Sequence, residues 1–160
     1  MKSNLMTIIY MLFSVSSFAQ DDVNCGENEI YTGKLFQLDI KSSFGESYKY
    51  QFCVGKENGY LISTFTEKSS QNLPDLIHTS KVKLTHEIKE ILKEIYQSTV
   101  LSLPKDNSSG LDGSTWCFKP KSGMSYSNFC YWSPESNSSE RGLSKLYELR
   151  VYIHELSGLK

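Results

Sequence analysis

Four cysteines and three histidines are the residues of this 160-residue chain whose chemistry depends most on spacing. Zinc sites pair cysteines a few residues apart. Here Cys25, Cys53, Cys117 and Cys130 are widely spaced, and His78, His86 and His154 lie far from them in the chain. There is no C-x-x-C pair to run thiol exchange. The cysteines therefore read as structural disulfides, with no metal site. No G-x-S-x-G, P-loop, H-E-x-x-H or EF-hand pattern occurs. His86-Glu87 and His154-Glu155 are adjacent pairs on predicted helices, where neighbours do not share a face. No catalytic residue and no cofactor are assigned. Asp112-Gly113 reads as turn chemistry ahead of a strand.

The elements that must position the cysteines narrow the pairing. Trp116-Cys117-Phe118 and Phe129-Cys130-Tyr131 fit a hairpin closed by a two-residue Gly123-Met124 turn, glycine first as type II′ prefers. That register sets Cys117 opposite Cys130, Trp116 opposite Tyr131 and Phe118 opposite Phe129. The cysteines become a non-hydrogen-bonded pair, where side chains approach most closely. The four aromatics gather on the other face, and a one-residue slip would scatter them. Pro120 objects, since it lacks a ladder N–H, so the tip is expected to be looser and the ladder to run from Lys119 and Asn128. By elimination Cys25 pairs with Cys53.

Disulfides need an oxidising compartment. Lys2 followed by the apolar run Leu5–Phe13 and the small-x-small triplet Ser17-Phe18-Ala19 reads as a signal peptide, Met1–Ala19, cleaved after Ala19. A membrane span needs about 20 apolar residues, which this run does not supply. Residues 20–160 are then expected to form one globular domain, monomeric, in the periplasm or secreted, with no membrane insertion after signal removal. Seventeen basic and eighteen acidic residues nearly cancel. No basic cluster stands out in the linear sequence, which argues against a nucleic-acid partner.

Period-two alternation marks strands in Lys34–Lys41, Ser47–Val54 and Tyr60–Phe65, linked by short glycine-bearing turns as in a meander. Glu67–Ser80, polar and holding Pro74, reads as loop. Thr85 can cap a helix whose apolar positions are Ile88, Ile91, Leu92 and Ile95, with Lys89, Glu90, Lys93 and Glu94 on the other side and an end near Ser98. After the hairpin, Ser136–Ser139 precedes a second helix with Leu143, Leu146, Leu149, Ile153 and Leu156 near one face and Gly158 as its C-terminal cap. The class is α+β: an antiparallel sheet of about five strands, a three-strand meander plus a C-terminal hairpin, packed against two amphipathic helices.

Trp132 projects on the disulfide face, where it covers the bridge, packs under the Pro134 turn, or stands out as an interface anchor with Tyr126 near the tip. Trp132, Tyr126 and Asp112 are the candidate binding surface.

Leu111-Asp112-Gly113-Ser114-Thr115-Trp116, then Trp132-Ser133-Pro134 and a closing helix, resemble a pattern in small exported bacterial proteins of unknown function. Those combine a D-G-[ST]-x-[WY] strand, an aromatic-x-Pro strand end and a final helix. The likeness covers the C-terminal residues 111–160. It implies the fold outline and the compartment and carries no catalytic residue; Cys117 and Cys130 stand outside the shared pattern. The leading expectation is a non-enzymatic, protein-binding module of the bacterial envelope, of inhibitor or immunity type. A small secreted hydrolase with a site assembled in three dimensions, and an accessory subunit of an envelope assembly, are the alternatives.

Overall fold

The computed structural model describes residues 33–55, 58–69, 74–122 and 124–159. The expected signal peptide, Cys25 and Gly123 lie outside the described residues. The first four strands, β1 (Lys34–Ser42), β2 (Glu46–Val54), β3 (Gly59–Glu67) and β4 (Leu76–Leu84), form an antiparallel meander. Helix α1 (His86–Ser102) follows, then β5 (Ser114–Ser122), β6 (Ser125–Tyr126), β7 (Phe129–Trp132) and α2 (Ser144–Ser157). β5 pairs with β1, so the sheet runs β4-β3-β2-β1-β5-β6, with β7 also on β5. The α+β class and the antiparallel meander are as expected, and the sheet is open rather than closed into a barrel.

Both helices cover one face. Alternation sends Phe36, Leu38 and Ile40 of β1 and Tyr50 and Phe52 of β2 to that side, where they meet Leu92 of α1 and Leu146, Leu149 and Ile153 of α2 in a single core. Phe36 touches the rings of Phe52, Tyr96 and Phe118, tying three strands to α1. Thr99 Oγ1 donates across the helix pair to the Lys145 carbonyl (3.1 Å). Thr85 caps α1 by accepting from the Ile88 amide, and Gly158 ends α2 at φ 64°, a left-handed conformation glycine adopts without steric cost.

Four local expectations need correction. The stretch read as loop, Glu67–Ser80, contains the first half of β4. This edge strand is half polar on both faces, with Ile77 and Leu76 exposed and Lys81 and Lys83 outward, so alternation of hydrophobicity could not mark it. It helps raise the strand number from about five to seven. α1 runs on to Ser102, and its buried face passes through Ile88, Leu92, Tyr96 and Thr99; Ile91 is left exposed while Lys89, expected outside, is buried with its aliphatic stem against Gly59. α2 begins only at Ser144, because residues 134–142 form consecutive turns with Asn137 and Gly142 at positive φ. Finally, of the four hairpin aromatics, Trp116, Phe118 and Tyr131 are buried but Phe129, at the start of the short strand β7, is exposed.

The hairpin register itself is as predicted. Trp116 pairs with Tyr131, Cys117 with Cys130 and Phe118 with Phe129. The Cys117–Cys130 disulfide is formed, with Cα atoms 4.1 Å apart, the close approach of a non-hydrogen-bonded pair. Lys121 and Ser122 continue the same register to Tyr126 and Ser125. Between the two ladders Pro120 faces Ser127 in the same register and accepts from its amide (3.1 Å), but having no N–H it cannot return the second bond of the pair. Cys53 is fully buried and disulfide-bonded; Cys25, its expected partner, lies outside the described residues.

Candidate functional site

Two regions gather the residues that could act on another molecule. The first is the loop end of the sheet, where the D-G-S-T-W and W-S-P segments meet. The backbone at Gly110 and Gly113 runs directly beneath the Trp132 indole: a Cβ at Gly110 would stand 2.1 Å from its Cζ2, and one at Gly113 would stand 2.2 Å from Ser133 Oγ. Gly113 is therefore required by contact as well as by its φ of 148°. Trp132 lies against this loop and is half-buried.

Ser133 then turns the chain at φ 38°, a conformation that non-glycine residues hold only when over-determined. Its amide donates to the Ser114 carbonyl (2.6 Å), its hydroxyl accepts from the Ser114 amide (3.1 Å), and its carbonyl accepts from Arg141 Nη1 (2.7 Å). Arg141 is the hub. Nη1 also donates to the Ser136 carbonyl (3.0 Å), and Nη2 donates to the Trp132 carbonyl (2.7 Å) and to Asp106 Oδ2 (2.5 Å). The ion pair is largely buried, with 14% of the Arg141 side chain and 12% of Asp106 exposed. The guanidinium, helped by the Ser108 hydroxyl, holds the Asp106 carboxyl below its usual value. Sequence reading missed both residues. An arginine eight positions past Ser133 and an aspartate in a serine-rich loop carry no local signal of their pairing.

Around this knot the surface is less polar than its loops suggest. Ser43, in the β1–β2 turn, donates from its amide to the Gly113 carbonyl (2.9 Å) and from its hydroxyl to the Leu111 carbonyl (3.4 Å). The two tied loops hold out Phe44, 82% exposed, and Leu111, 95% exposed. Asp112 is exposed beside Leu111.

The second region is the sheet face opposite the helices. Here alternation and register bring Lys41, Lys49, Lys81, Lys83, Lys119 and Lys121 onto one side, joined by Lys34 next to the β1 irregularity. Asp39 is the acidic side chain these strands place among them. A groove of about 650 Å³ runs across the middle, lined by Lys34, Lys41, Lys49 and Lys119 with Gln37, Ser47, Thr64 and Thr66. Tyr126 closes one end, its hydroxyl donating to the Lys34 carbonyl (2.8 Å) and its ring under the Lys34 ammonium at 5.0 Å. A polar chain crosses the floor: Lys34 Nζ to Gln37 Oε1, Gln37 Nε2 to Asp39, and Lys119 Nζ to Asp39 Oδ2 at 2.6 Å. The linear sequence showed no basic cluster because these lysines are distributed over four strands.

The structure thus separates the three sequence candidates. Trp132 and Asp112 belong to the loop end, and Tyr126 belongs to the groove. The histidines stand apart from both. His154 Nδ1 shares a hydrogen bond with the Tyr50 hydroxyl (2.8 Å) on the helix side. Burial pushes Tyr50 up to about 12, and burial with the nearby Arg150 charge lowers His154. His78 stacks on Phe65. Among the described residues no cluster of His, Cys, Asp and Glu is arranged to hold a metal ion, and no helix is long and apolar enough to cross a membrane. No family model, curated protein or solved structure matches the chain.

Proposed function

We propose that this is an exported bacterial envelope protein that works by binding another protein, as an inhibitor or immunity-type module, through the loop end of its sheet. The observation that carries the reading is the pair Phe44 and Leu111, held almost wholly in solvent on loops fixed to one another through Ser43. An apolar side chain exposed on a mobile loop gains little on binding, because ordering the loop costs entropy. One presented on a rigid loop has that cost already met and contributes its buried area to association. Tight central contacts of this kind are typically made by a few such side chains. The Arg141 knot and the Trp132–glycine contact supply the rigidity. The signal sequence and the resemblance of residues 111–160 to small exported bacterial proteins support the compartment. The disulfide at Cys117 and Cys130 agrees with an oxidising environment.

The test compares the unmodified protein with a Phe44→Ser, Leu111→Ser double variant as baits in periplasmic and medium extracts, after confirming equal thermal stability. A protein retained by the first and lost by the second, and then bound by purified components, supports the reading. Repeated recovery of nothing, or equal retention by both, removes it.

The accessory-subunit alternative has one observation of its own: β4 is an edge strand of nine residues with Leu76 and Ile77 exposed near its start. Lys81 and Lys83 further along it oppose strand addition by another chain, so the loop end remains the better-supported surface.

A further inference from the structure

We infer that the helix side of the sheet, along one flank of α2, binds an aromatic carboxylate, with Arg150 as the partner of the anion and Tyr48 and Phe65 as the floor for its ring. The site lies apart from both regions described above. Its first mark is a contrast between the two arginines of the chain. Nε is buried without a hydrogen-bond partner in both. Arg141, however, uses its two Nη groups on three carbonyls and Asp106. The Arg150 guanidinium has neither an acceptor nor a carboxylate among the described residues. A guanidinium presents its donors in a planar fork that matches a carboxylate, and a buried donor left unpaired carries a cost that a bound acceptor removes.

What surrounds Arg150 instead is aromatic. It lies over the Trp116 ring at 6.0 Å, and Tyr147, 38% exposed, stacks on the same indole at 6.4 Å. Trp116 Nε1 already donates to Ser114 Oγ (2.7 Å), so the indole meets Arg150 through its ring. The register sets Trp116, Ile40, Tyr48, Phe65 and His78 side by side across five strands. α2 crosses the next row of the sheet, fixed there by Tyr50 to His154 and by Ser80 to the Ser157 carbonyl. Its residues Tyr147, Arg150 and His154, spaced i, i+3 and i+7, therefore border the aromatic row. Tyr48 and Phe65, with ring centroids 4.8 Å apart, are half-buried in that row. Burial and the Arg150 charge hold His154 below its usual value, so Arg150 is the fixed positive charge of this flank.

The charges on either side of the row set the direction of the ligand. Away from α2, the next cross-strand pair on this side is Glu46 and Glu67, both exposed. A carboxylate is repelled there and drawn to Arg150, where reduced access of water strengthens the pair. A ring attached to it then lies along Tyr48 and Phe65, in the offset or edge contacts that aromatic pairs favour. Trp116 and Phe65 are separated by the β5-β1-β2-β3 order, a span of about 14 Å at the usual strand spacing. That length suits a phenyl ring on a short carboxylate arm. The chemistry is that of an arylalkanoate, either a free acid or the C-terminal aromatic residue of a peptide.

The test titrates the full disulfide-bonded protein with hydrocinnamate, its neutral amide and propionate, following backbone and side-chain N–H signals by NMR. Hydrocinnamate should move the Trp116 indole and the Tyr48, Phe65 and Arg150 signals with a Kd of about 1–10 mM, the range that ligand efficiency sets for a fragment of this size. The amide should bind about tenfold more weakly, because a charge-assisted pair is lost. Propionate, which has no ring, should not saturate. Arg150→Gln should erase the difference between acid and amide, and Lys119→Gln should leave it intact. The peptide Gly-Gly-Phe and its C-terminal amide separate the two sources: discrimination between them assigns a peptide C-terminus, and binding of hydrocinnamate without it assigns a free acid. Equal binding of hydrocinnamate and its amide, shifts centred on Lys119 and Tyr126, or no shift with any probe would each overturn the proposal. Should Arg150→Gln fail to fold, the probe series on the parent protein still decides. Phe44 and Leu111 enter none of these readouts, so this inference and the docking reading fail separately.

Discussion

The loop end and the open sheet face sit on one sheet and solve opposite problems. At the loop end nearly every strong group has a partner: Arg141 donates to three carbonyls and one carboxylate, and Ser133 uses its amide, hydroxyl and carbonyl. What that end offers outward is apolar. The open face has the reverse character, with many like charges and Asp39 as the acid its strands supply. The lesson is that the residues forming a recognisable pattern here hold the chain in shape. The D-G-S-T-W and W-S-P segments lock to each other and to Arg141, while the lysines gathered on the open face belong to no motif.

If that division is right, damage at the loop end should be costly to folding. Arg141→Ala leaves Asp106 and three carbonyls with no cationic partner in a largely buried setting. Removing one member of a buried ion pair costs about 3–5 kcal/mol, and urea unfolding should show a loss of that size with the slope unchanged. A loss under 1 kcal/mol would mean the knot is decorative. Next in size, Gly113→Ala should cost about 1–3 kcal/mol, the usual penalty of overpacking, because its Cβ meets Ser133 Oγ and its φ is unfavourable for alanine. Ser133→Gly in the same background should recover part of it. A neutral outcome for the single substitution would say that the loop moves freely under Trp132.

How far the sequence could anticipate this division depends on what each region is made of. The Cys117–Cys130 register was legible because two independent patterns, paired cysteines and alternating aromatics, agreed on it. The meander was legible as far as β3, where apolar residues alternate. It failed at β4, an edge strand whose first half breaks the hydrophobic period, with Ile77 on the same face as Lys81 and Lys83 and with His78 and Ser80 on the other. The second helix was read with its buried leucines correct but its start too early, since Asn137 and Gly142 turn the chain again before Leu143. The Arg141–Asp106 pair was invisible because its partners are 35 positions apart. The groove was invisible for a related reason: lysines spaced two apart on several strands form a field only after the register aligns them.

Acidity should separate the regions further. The Asp106 carboxyl is held below its ordinary value of 3.8 by Arg141, so its contribution is fully present above that value and is lost as pH falls through the lower folded-state value. Stability should therefore drop in strong acid, and Asp106→Asn, though less stable at neutral pH, should show a shallower acid limb in unfolding measured against pH. An identical limb in both proteins would detach the knot from acid unfolding.

The smallest effect is expected on the open face, and it tests the other half of the comparison. Lys119 reaches Asp39 at 2.6 Å, yet 37% of its side chain is exposed and Asp39 also accepts two hydrogen bonds from Gln37. Exposed ion pairs contribute about 0–1 kcal/mol, and Asp39 keeps its amide partner when the lysine is gone. Lys119→Gln should accordingly shift urea unfolding by less than about 1 kcal/mol, and added salt should narrow the gap between the two proteins. A loss as large as that of Arg141→Ala would place the groove lysines among the groups that hold the fold together, and the contrast between an end fastened by buried pairs and a face of weakly tied charges would no longer stand.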